Sequence, residues 1–313
     1  MSRRKPGISV LIPTQNEEAL VAICIRSFLN FGDELIVVDN GSTDHTKEIV
    51  CELAVKYRNR IKFFDKPELP DLHQNRRFAY EQSSYQWLMR ADSDYVAYNE
   101  GKFSILTFRE FLLRLENSWR PQAFSVPQSN VVGDFWHTGT PMRPGGYRAN
   151  PERQHISGPV VEPMVRFYRH HRGFNFIRRG RRETVRFQEL FKIRKWPHPL
   201  WMHCNIKSDL GYLFRSERTN WRELGDFRRF PTLTSYVKTV INKKYGTTDM
   251  NKAATLYMKR HIFPYLQPYD PDKYYPYPRL VREQMSENPI YKIHHSGNRI
   301  VRSFCGIRLQ TIT

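Results

Sequence analysis

The chain has 313 residues, 40% hydrophobic and 14% aromatic, enough to fill a sizeable core and too apolar for a disordered chain. Fifty Lys and Arg against 31 Asp and Glu give a formal charge of +19, which favours a polyanionic neighbour: phosphate, anionic lipid or nucleic acid. The four cysteines, Cys24, Cys51, Cys204 and Cys305, have no Cys-x-x-Cys spacing; this argues against a zinc site and for buried free thiols in a reducing compartment.

The elements open as a βα alternation. Ile8 to Ile12 reads as a buried strand that Pro13 ends. A helix is predicted from about Glu17 to Asn30, with Leu20, Ile23, Cys24 and Phe28 on one face. Glu17 and Glu18 fall in its first turn, where the helix dipole favours acids. Leu35 to Val38 is the second strand. Ser42 or Thr43 can cap a second helix, whose apolar stripe is Ile49, Val50, Leu53, Ala54 and Tyr57. Ile61 to Phe64 is a third strand, a helix follows through Asn75-Arg76-Arg77 to Ser83, and Gln86 to Met89 is a fourth strand. Such alternation predicts a parallel sheet with helices on both faces.

From about Asn117 to Pro163 the chain is rich in Pro and Gly, including Pro144-Gly145-Gly146, and reads as long functional loops. Val165 to Arg169 is a short strand. The segment Arg166 to Lys195 holds eleven Lys or Arg and two Glu. Thr232 to Lys244 reads as an amphipathic helix with Val237, Val240 and Ile241 inward, and His261 to Pro278 is rich in Tyr and Pro. The basic start, Met1 to Lys5, leads into an apolar run that Pro13 ends too soon for a secretory signal. Ala19 to Ile25 is far short of the ~20 residues that span a bilayer. A cytoplasmic location, with peripheral membrane contact, is the expectation.

Two acidic clusters stand where strands end. Asp39 follows Ile36-Val37-Val38 and precedes Gly41, which permits a tight turn. In an open α/β sheet, ligands bind at the carboxyl ends of the strands. A carboxylate there can accept from a ribose hydroxyl or a base N–H. Asp92-Ser93-Asp94 follows the fourth strand, and two carboxylates so spaced can share a hard cation that bridges to phosphates. A turn in which Asp and Ser cap the backbone is the structural alternative.

The run Ile8 to Glu18, the run Leu35 to Ile49, Asn75-Arg76, and Trp87 to Asp94 together resemble glycosyltransferase family 2, in order and spacing, over roughly residues 7–100. The resemblance implies an α/β GT-A (Rossmann-like) fold and inverting transfer of a sugar, a hexosyl transfer, from a nucleotide-diphosphate-sugar donor. It implies that Thr14, Glu17, Asp39, Asn75, Arg76 and Asp92 serve the donor. It gives Asp92 and Asp94 to ribose, diphosphate and a Mn²⁺ or Mg²⁺ ion; His203, beside Trp201 and Met202, could complete the metal shell, bind the diphosphate or be a satisfied core residue. Asn40 stands where the family often has a second Asp, and Gln15 where it has Tyr or Arg.

In the second half, Glu162 to Arg169, Arg182-Glu183 and His203 resemble a bacterial branch that modifies lipopolysaccharide cores or peptides. That resemblance makes Glu183 the base that deprotonates the acceptor hydroxyl; a structural ion pair with Arg is the alternative. Asp134 and Glu162 are the other acids considered, and Lys207 and Arg215 could neutralise a leaving diphosphate. The expected organisation is a nucleotide-sugar-binding half at 1–115, an acceptor-binding and catalytic half at 116–230, loop-rich, and a helical, Tyr/Pro-rich extension at 231–313. The expected acceptor is an anionic or membrane-associated glycan or lipid, or alternatively nucleic acid. A nucleotidyltransferase and a non-enzymatic anion-binding protein are the readings from other classes.

Overall fold

Val10, Leu11 and Ile12 have no exposed surface, because their strand, β1 (Lys5–Thr14), has a partner on each side and packing on each face. The structure, a computed structural model, describes residues 4–69, 72–116, 120–139, 158–171, 173–179, 182–223, 228–287, 292–296, 299–304 and 307–312. By contacts the chain falls into two compact units, residues 1–130, 160–204 and 270–313, and residues 131–159 and 205–269.

The first unit is built on a mixed sheet. In chain order its elements begin with β1, α1 (Val21–Phe28), β2 (Glu34–Asp39), α2 (Thr46–Lys56), β3 (Ile61–Asp65), α3 (Leu72–Glu81), β4 (Tyr85–Arg90), β5 (Tyr95–Ala97) and α4 (Ile105–Arg114). Then come β6 (Gln122–Val132), β8 (Val160–Arg169), the hairpin β9 (Phe176–Arg179) and β10 (Arg182–Val185), β11 (Lys192–Lys195) and β12 (Trp201–Asn205). The strand order is β3-β2-β1-β4-β8-β6-β12-β5, with β11 alongside β6. Strands β3, β2, β1 and β4 are parallel, and β8 runs antiparallel to both β4 and β6. This is the α/β fold the sequence predicts, a mixed sheet whose first four strands are parallel.

Alternation in the strands divides the core. Ile8, Val10, Ile12, Leu35 and Val37 face one side, in a cluster with Val21, Ile25 and Phe28 of α1 and Phe108 of α4. Leu11, Ile36 and Val38 face the other, with Ala79 of α3 and Tyr168, Phe176, Val185 and Phe191. Gly7, at φ 141°, lies where a Cβ would be 2.4 Å from the Tyr85 ring, so only glycine fits.

The second unit contains a short antiparallel pair, β7 (His137–Gly139) with β13 (Leu266–Pro268). Three helices, α5 (Asp209–Glu223), α6 (Leu233–Tyr245) and α7 (Met250–His261), pack on one another. Thr232 caps α6 through the Ser235 N–H, and Val237 and Ile241 are buried as predicted. Buried Glu217 of α5 accepts from Lys244 Nζ of α6 at 2.8 Å. The last segment of the first unit holds α8 (Arg279–Glu287), which packs on α1, and a three-stranded antiparallel sheet, β14 (Lys292–Ser296), β15 (Arg299–Phe304) and β16 (Ile307–Ile312).

Several expectations need correction. The stretch 117–163 is not loop throughout. Residues 122–132 form β6, one of the sheet's central strands, and its ladder with β8 breaks between Val126 and Gln128, at Pro127. The loop signal Pro144-Gly145-Gly146 lies outside the described residues. Helix α1 begins at Val21, so Glu17 and Glu18 precede it instead of filling its first turn. Of the cysteines, Cys24 and Cys204 are buried but Cys51 is exposed, and Cys305 lies outside the described residues. The C-terminal extension carries strands as well as helices.

Candidate active site

The first half of the site is two loops laced together at adjacent strand ends. Register pairs Thr14 of β1 with Asp39 of β2, so the loops after these strands leave side by side. Asn16, in the left-handed region at φ 55°, accepts from the Thr43 N–H through Oδ1, and its own N–H donates to Ser42 Oγ. The Glu17 N–H donates to Thr46 Oγ1, and Gln15 Nε2 donates to the Asn40 carbonyl. Asp39 is buried. Its Oδ1 accepts from the Gly41 and Ser42 N–H groups at 2.9 and 2.8 Å, and its Oδ2 accepts from Ser42 Oγ. The carboxylate therefore organises its own turn. Asn75 of α3 ties that helix to the same strand end, its Nδ2 donating to the Val38 carbonyl.

The second half gathers around Arg76, which is fully buried. Its guanidinium makes two hydrogen bonds and a further ion pair. Nη1 donates to the Ala91 carbonyl at 2.8 Å, Nη2 pairs with Asp92 Oδ1 at 2.7 Å, and Nε lies 2.9 Å from Glu183 Oε1. Asp92 is held from its other oxygen too, with Arg166 Nη1 3.1 Å from Oδ2. Burial would raise the Asp92 pKa, but the charges of Arg166, Arg76 and Arg90 outweigh it and hold the carboxyl far below the usual range. The ring of Tyr95 lies under the Arg166 guanidinium at 5.1 Å. Burial pushes the Tyr95 phenol up, so it stays protonated beside these acids.

Asp94 and His203 make a separate pair. Register sets His203 of β12 opposite Tyr95 of β5, and the Cys204 N–H donates to the Asp94 carbonyl. His203 Nδ1 donates to Asn130 Oδ1 at 2.8 Å, which turns Nε2 toward Asp94 Oδ2, 3.4 Å away. Two ligands each ~2.1 Å from one octahedral ion sit ~3 Å apart when adjacent. The pair is near that spacing, its donors are an imidazole nitrogen and a carboxylate oxygen, and the outer nitrogen is already oriented. These residues fit a divalent ion. The described residues hold no group of three or more potential ligands around one point, so most of the shell would come from phosphate and water.

All the predicted donor, metal and base residues lie in the first unit. Asp92 and Asp94 face different partners: arginines pair with both oxygens of Asp92, and His203 faces Asp94. Asp134, in the second unit, is buried and accepts from the Trp136 and His137 N–H groups and from His137 Nδ1, so it is committed to its turn. Arg215, in the same unit, donates to Asn205 Oδ1. The side chains of Glu162 and Arg182 lie outside the described residues. Sequence reasoning missed Arg90, Arg166 and Asn130. The signal for Arg166 was a lone charge inside Val165-Arg166-Phe167-Tyr168, where a strand buried on both faces has no solvent to offer it.

The profile described as Glycosyl transferase family 2 matches residues 9–106. An uncharacterized glycosyltransferase of Rickettsia typhi is 40% identical over 87 residues, 28% of this chain and 27% of that protein. Another, of Rickettsia felis, is 24% identical over 211 residues, 56% of this chain and 72% of that one. The GalNAc(5)-diNAcBac-PP-undecaprenol beta-1,3-glucosyltransferase of Campylobacter jejuni is 32% identical over 105 residues, 33% of this chain and 31% of its own length. The chain thus spans about a quarter to a third of two of these relatives and most of the third. The family match encloses Thr14, Glu17, Asp39, Asn75, Arg76, Asp92 and Asp94, and over residues 9–106 the chain is similar to glycosyl transferase family 2.

Proposed function

We propose that the protein is a nucleotide-sugar glycosyltransferase that transfers a hexosyl group with inversion to an acceptor hydroxyl. The observation that carries this reading is the convergence in one unit of a base candidate, a clamped carboxylate and a metal-compatible pair: Glu183, Asp92, and Asp94 with His203. Thr14, Glu17, Asp39 and Asn75 line the strand ends where the nucleoside would sit. Asp94 and His203 would hold Mn²⁺ or Mg²⁺, which supplies charge neutralisation for the diphosphate leaving group. Asp92, fixed by Arg76 and Arg166, positions the ribose.

The chemistry needs one proton moved and one bond exchanged. Glu183 takes the proton of the acceptor hydroxyl as its oxygen bonds to the anomeric carbon. The bond from that carbon to the diphosphate oxygen breaks, and the nucleoside diphosphate leaves. Arg76 holds Glu183 in place during this exchange. The acceptor we propose is an anionic or membrane-associated glycan or lipid. Support comes from the +19 charge and from the Campylobacter relative, whose name contains PP-undecaprenol.

A thermal-shift panel of nucleotide-sugars with Mn²⁺ or Mg²⁺, followed by donor hydrolysis, tests the reading. A ligand that binds only the folded state raises stability by RT ln(1 + [L]/Kd), so the donor should stand out and should be slowly split. An anion-binding protein would bind without splitting it, and a nucleotidyltransferase would favour a nucleoside triphosphate.

A further inference from the structure

Eight large apolar side chains are exposed among the described residues, and three of them fall within seven positions: Phe187 at 41%, Leu190 at 51% and Ile193 at 44%. Residues 186–195, which enclose them, carry Arg186, Lys192, Arg194 and Lys195 against one acid, Glu189. We propose that residues 186–195 are a docking surface for an anionic lipid bilayer, with Phe187, Leu190 and Ile193 entering the interface and the four cations meeting the headgroups.

The segment is built to project. Val185 and Phe191 are buried in the core and bracket it, so the five residues between them form a turn with fixed ends. The Leu190 N–H donates to the Phe187 carbonyl and the Phe191 N–H to the Gln188 carbonyl, which closes a 3₁₀ turn over Gln188–Leu190. Phe187 sits in the left-handed region at φ 57° and ψ 38°, unusual for a bulky residue. That backbone is strained, and strain of this kind collects where a side chain must be aimed. The guanidinium of Arg186 lies 5.3 Å over the Phe187 ring, so cation and aromatic are presented together. Arg120 Nε donates to the Leu190 carbonyl and brings a further exposed cation to the edge of the patch.

Among the described residues strand β11 pairs only with β6, and charges on such an edge often serve to block aggregation. That purpose explains Lys192 and Lys195. It does not explain Leu190 and Ile193 exposed beside them, because bare aliphatics on an edge invite aggregation. Nucleic acid would use the cations and Phe187 but has no use for the aliphatics. A bilayer uses all of them. The turn also begins one residue after β10, the strand of Glu183, so docking here would hold the base candidate close to a lipid surface. The surface stands on its own geometry and does not depend on the transferase reading.

The test is co-sedimentation of the full chain with phosphatidylcholine vesicles, with and without 30% phosphatidylglycerol, alongside retention on duplex DNA. Binding is expected only to the anionic vesicles, and it should weaken with salt. Two variants share the folding check of an unchanged melting temperature: F187S/L190S/I193S and K192E/R194E/K195E. Each should lose at least ten-fold in vesicle affinity, since one cation alone is worth about five-fold at such a surface. Brominated lipid should quench the fluorescence of Leu190→Trp beyond that of the parent if the turn inserts. The proposal is overturned if the apolar triple binds vesicles like the parent, or if Leu190→Trp shows no quenching beyond the parent. Preference for duplex DNA that depends on the cations alone would also overturn it. If the apolar triple unfolds, the quenching of Leu190→Trp alone decides.

Discussion

Arg76 and Glu183 lie 107 positions apart and meet at 2.9 Å, and the same guanidinium holds Asp92 at 2.7 Å. One buried cation thus fixes the candidate base on a hairpin strand and the donor-side carboxylate after β4. The ion pair expected as the alternative to catalysis is present, and its partner among the described residues is Arg76, itself at the site. Pairing and catalysis are therefore compatible, and their effects can be separated.

Glu183→Gln keeps the size of the side chain and removes the base. Its kcat should fall by the ~10²–10⁴-fold of a positioned general base, with donor affinity unchanged. Stability should also fall, since Arg76 loses one counter-charge in a buried position. Measuring kcat per folded molecule, with the melting temperature on the same preparation, separates the two. A folded variant with near-normal kcat would return Glu183 to a structural role.

Asp92 gives a pH prediction. Its folded carboxyl is held far below the unfolded value of ~3.9, so below about pH 4 the unfolded chain takes up a proton that the folded chain refuses. The stabilisation is complete above that region and is lost as pH falls. Asp92→Asn should flatten the fall in stability between about pH 5 and 3, by at most one proton or about 1.4 kcal/mol per pH unit. Urea titrations of both proteins across that range give the slopes directly, and parallel slopes would mean that Arg166, Arg76 and Arg90 do not control this carboxyl.

Asp39 tests donor binding against turn formation. Asp39→Ala removes the acceptor for two backbone N–H groups and one hydroxyl, at a cost of about 1–3 kcal/mol, and should lower the melting temperature. Asp39→Asn keeps an acceptor oxygen for the turn and should regain most of that stability. If the carboxylate also binds the nucleoside, donor affinity should stay about ten-fold low in both variants. Calorimetry with donor affinity restored in Asp39→Asn would confine Asp39 to the turn.

Strands β1 to β4 were legible because each is an apolar run with a clear stop, and the acids that follow two of them are visible in the chain itself. Strand β6 was hidden by Pro127, which reads as a loop residue but sits where the ladder with β8 breaks. Glu17 was misplaced because its turn is fixed by long-range bonds from Asn16 and Thr46, which local helix signals do not report. The clamp on Asp92 was illegible for a similar reason. Arg76, Arg90 and Arg166 come from α3, β4 and β8, and only the strand order brings the last beside the first two.

Asp94 and His203 carry the last prediction. Nδ1 of His203 is committed to Asn130, so Nε2 is the atom available to a metal. Asp94→Asn and His203→Ala should each remove the Mn²⁺-dependent part of nucleoside diphosphate binding and leave the metal-independent part. Asn130→Ala keeps both ligands but frees the ring to turn. It should cost less, on the order of 10–100-fold in metal affinity, as loss of an orienting partner does. Calorimetric titration of nucleoside diphosphate with and without Mn²⁺ reads both quantities. The graded order, with Asp94→Asn and His203→Ala severe and Asn130→Ala intermediate, is what a shared ion requires. Equal metal dependence in all three variants and the parent would leave the pair as an electrostatic contact between the Asp94 turn and β12.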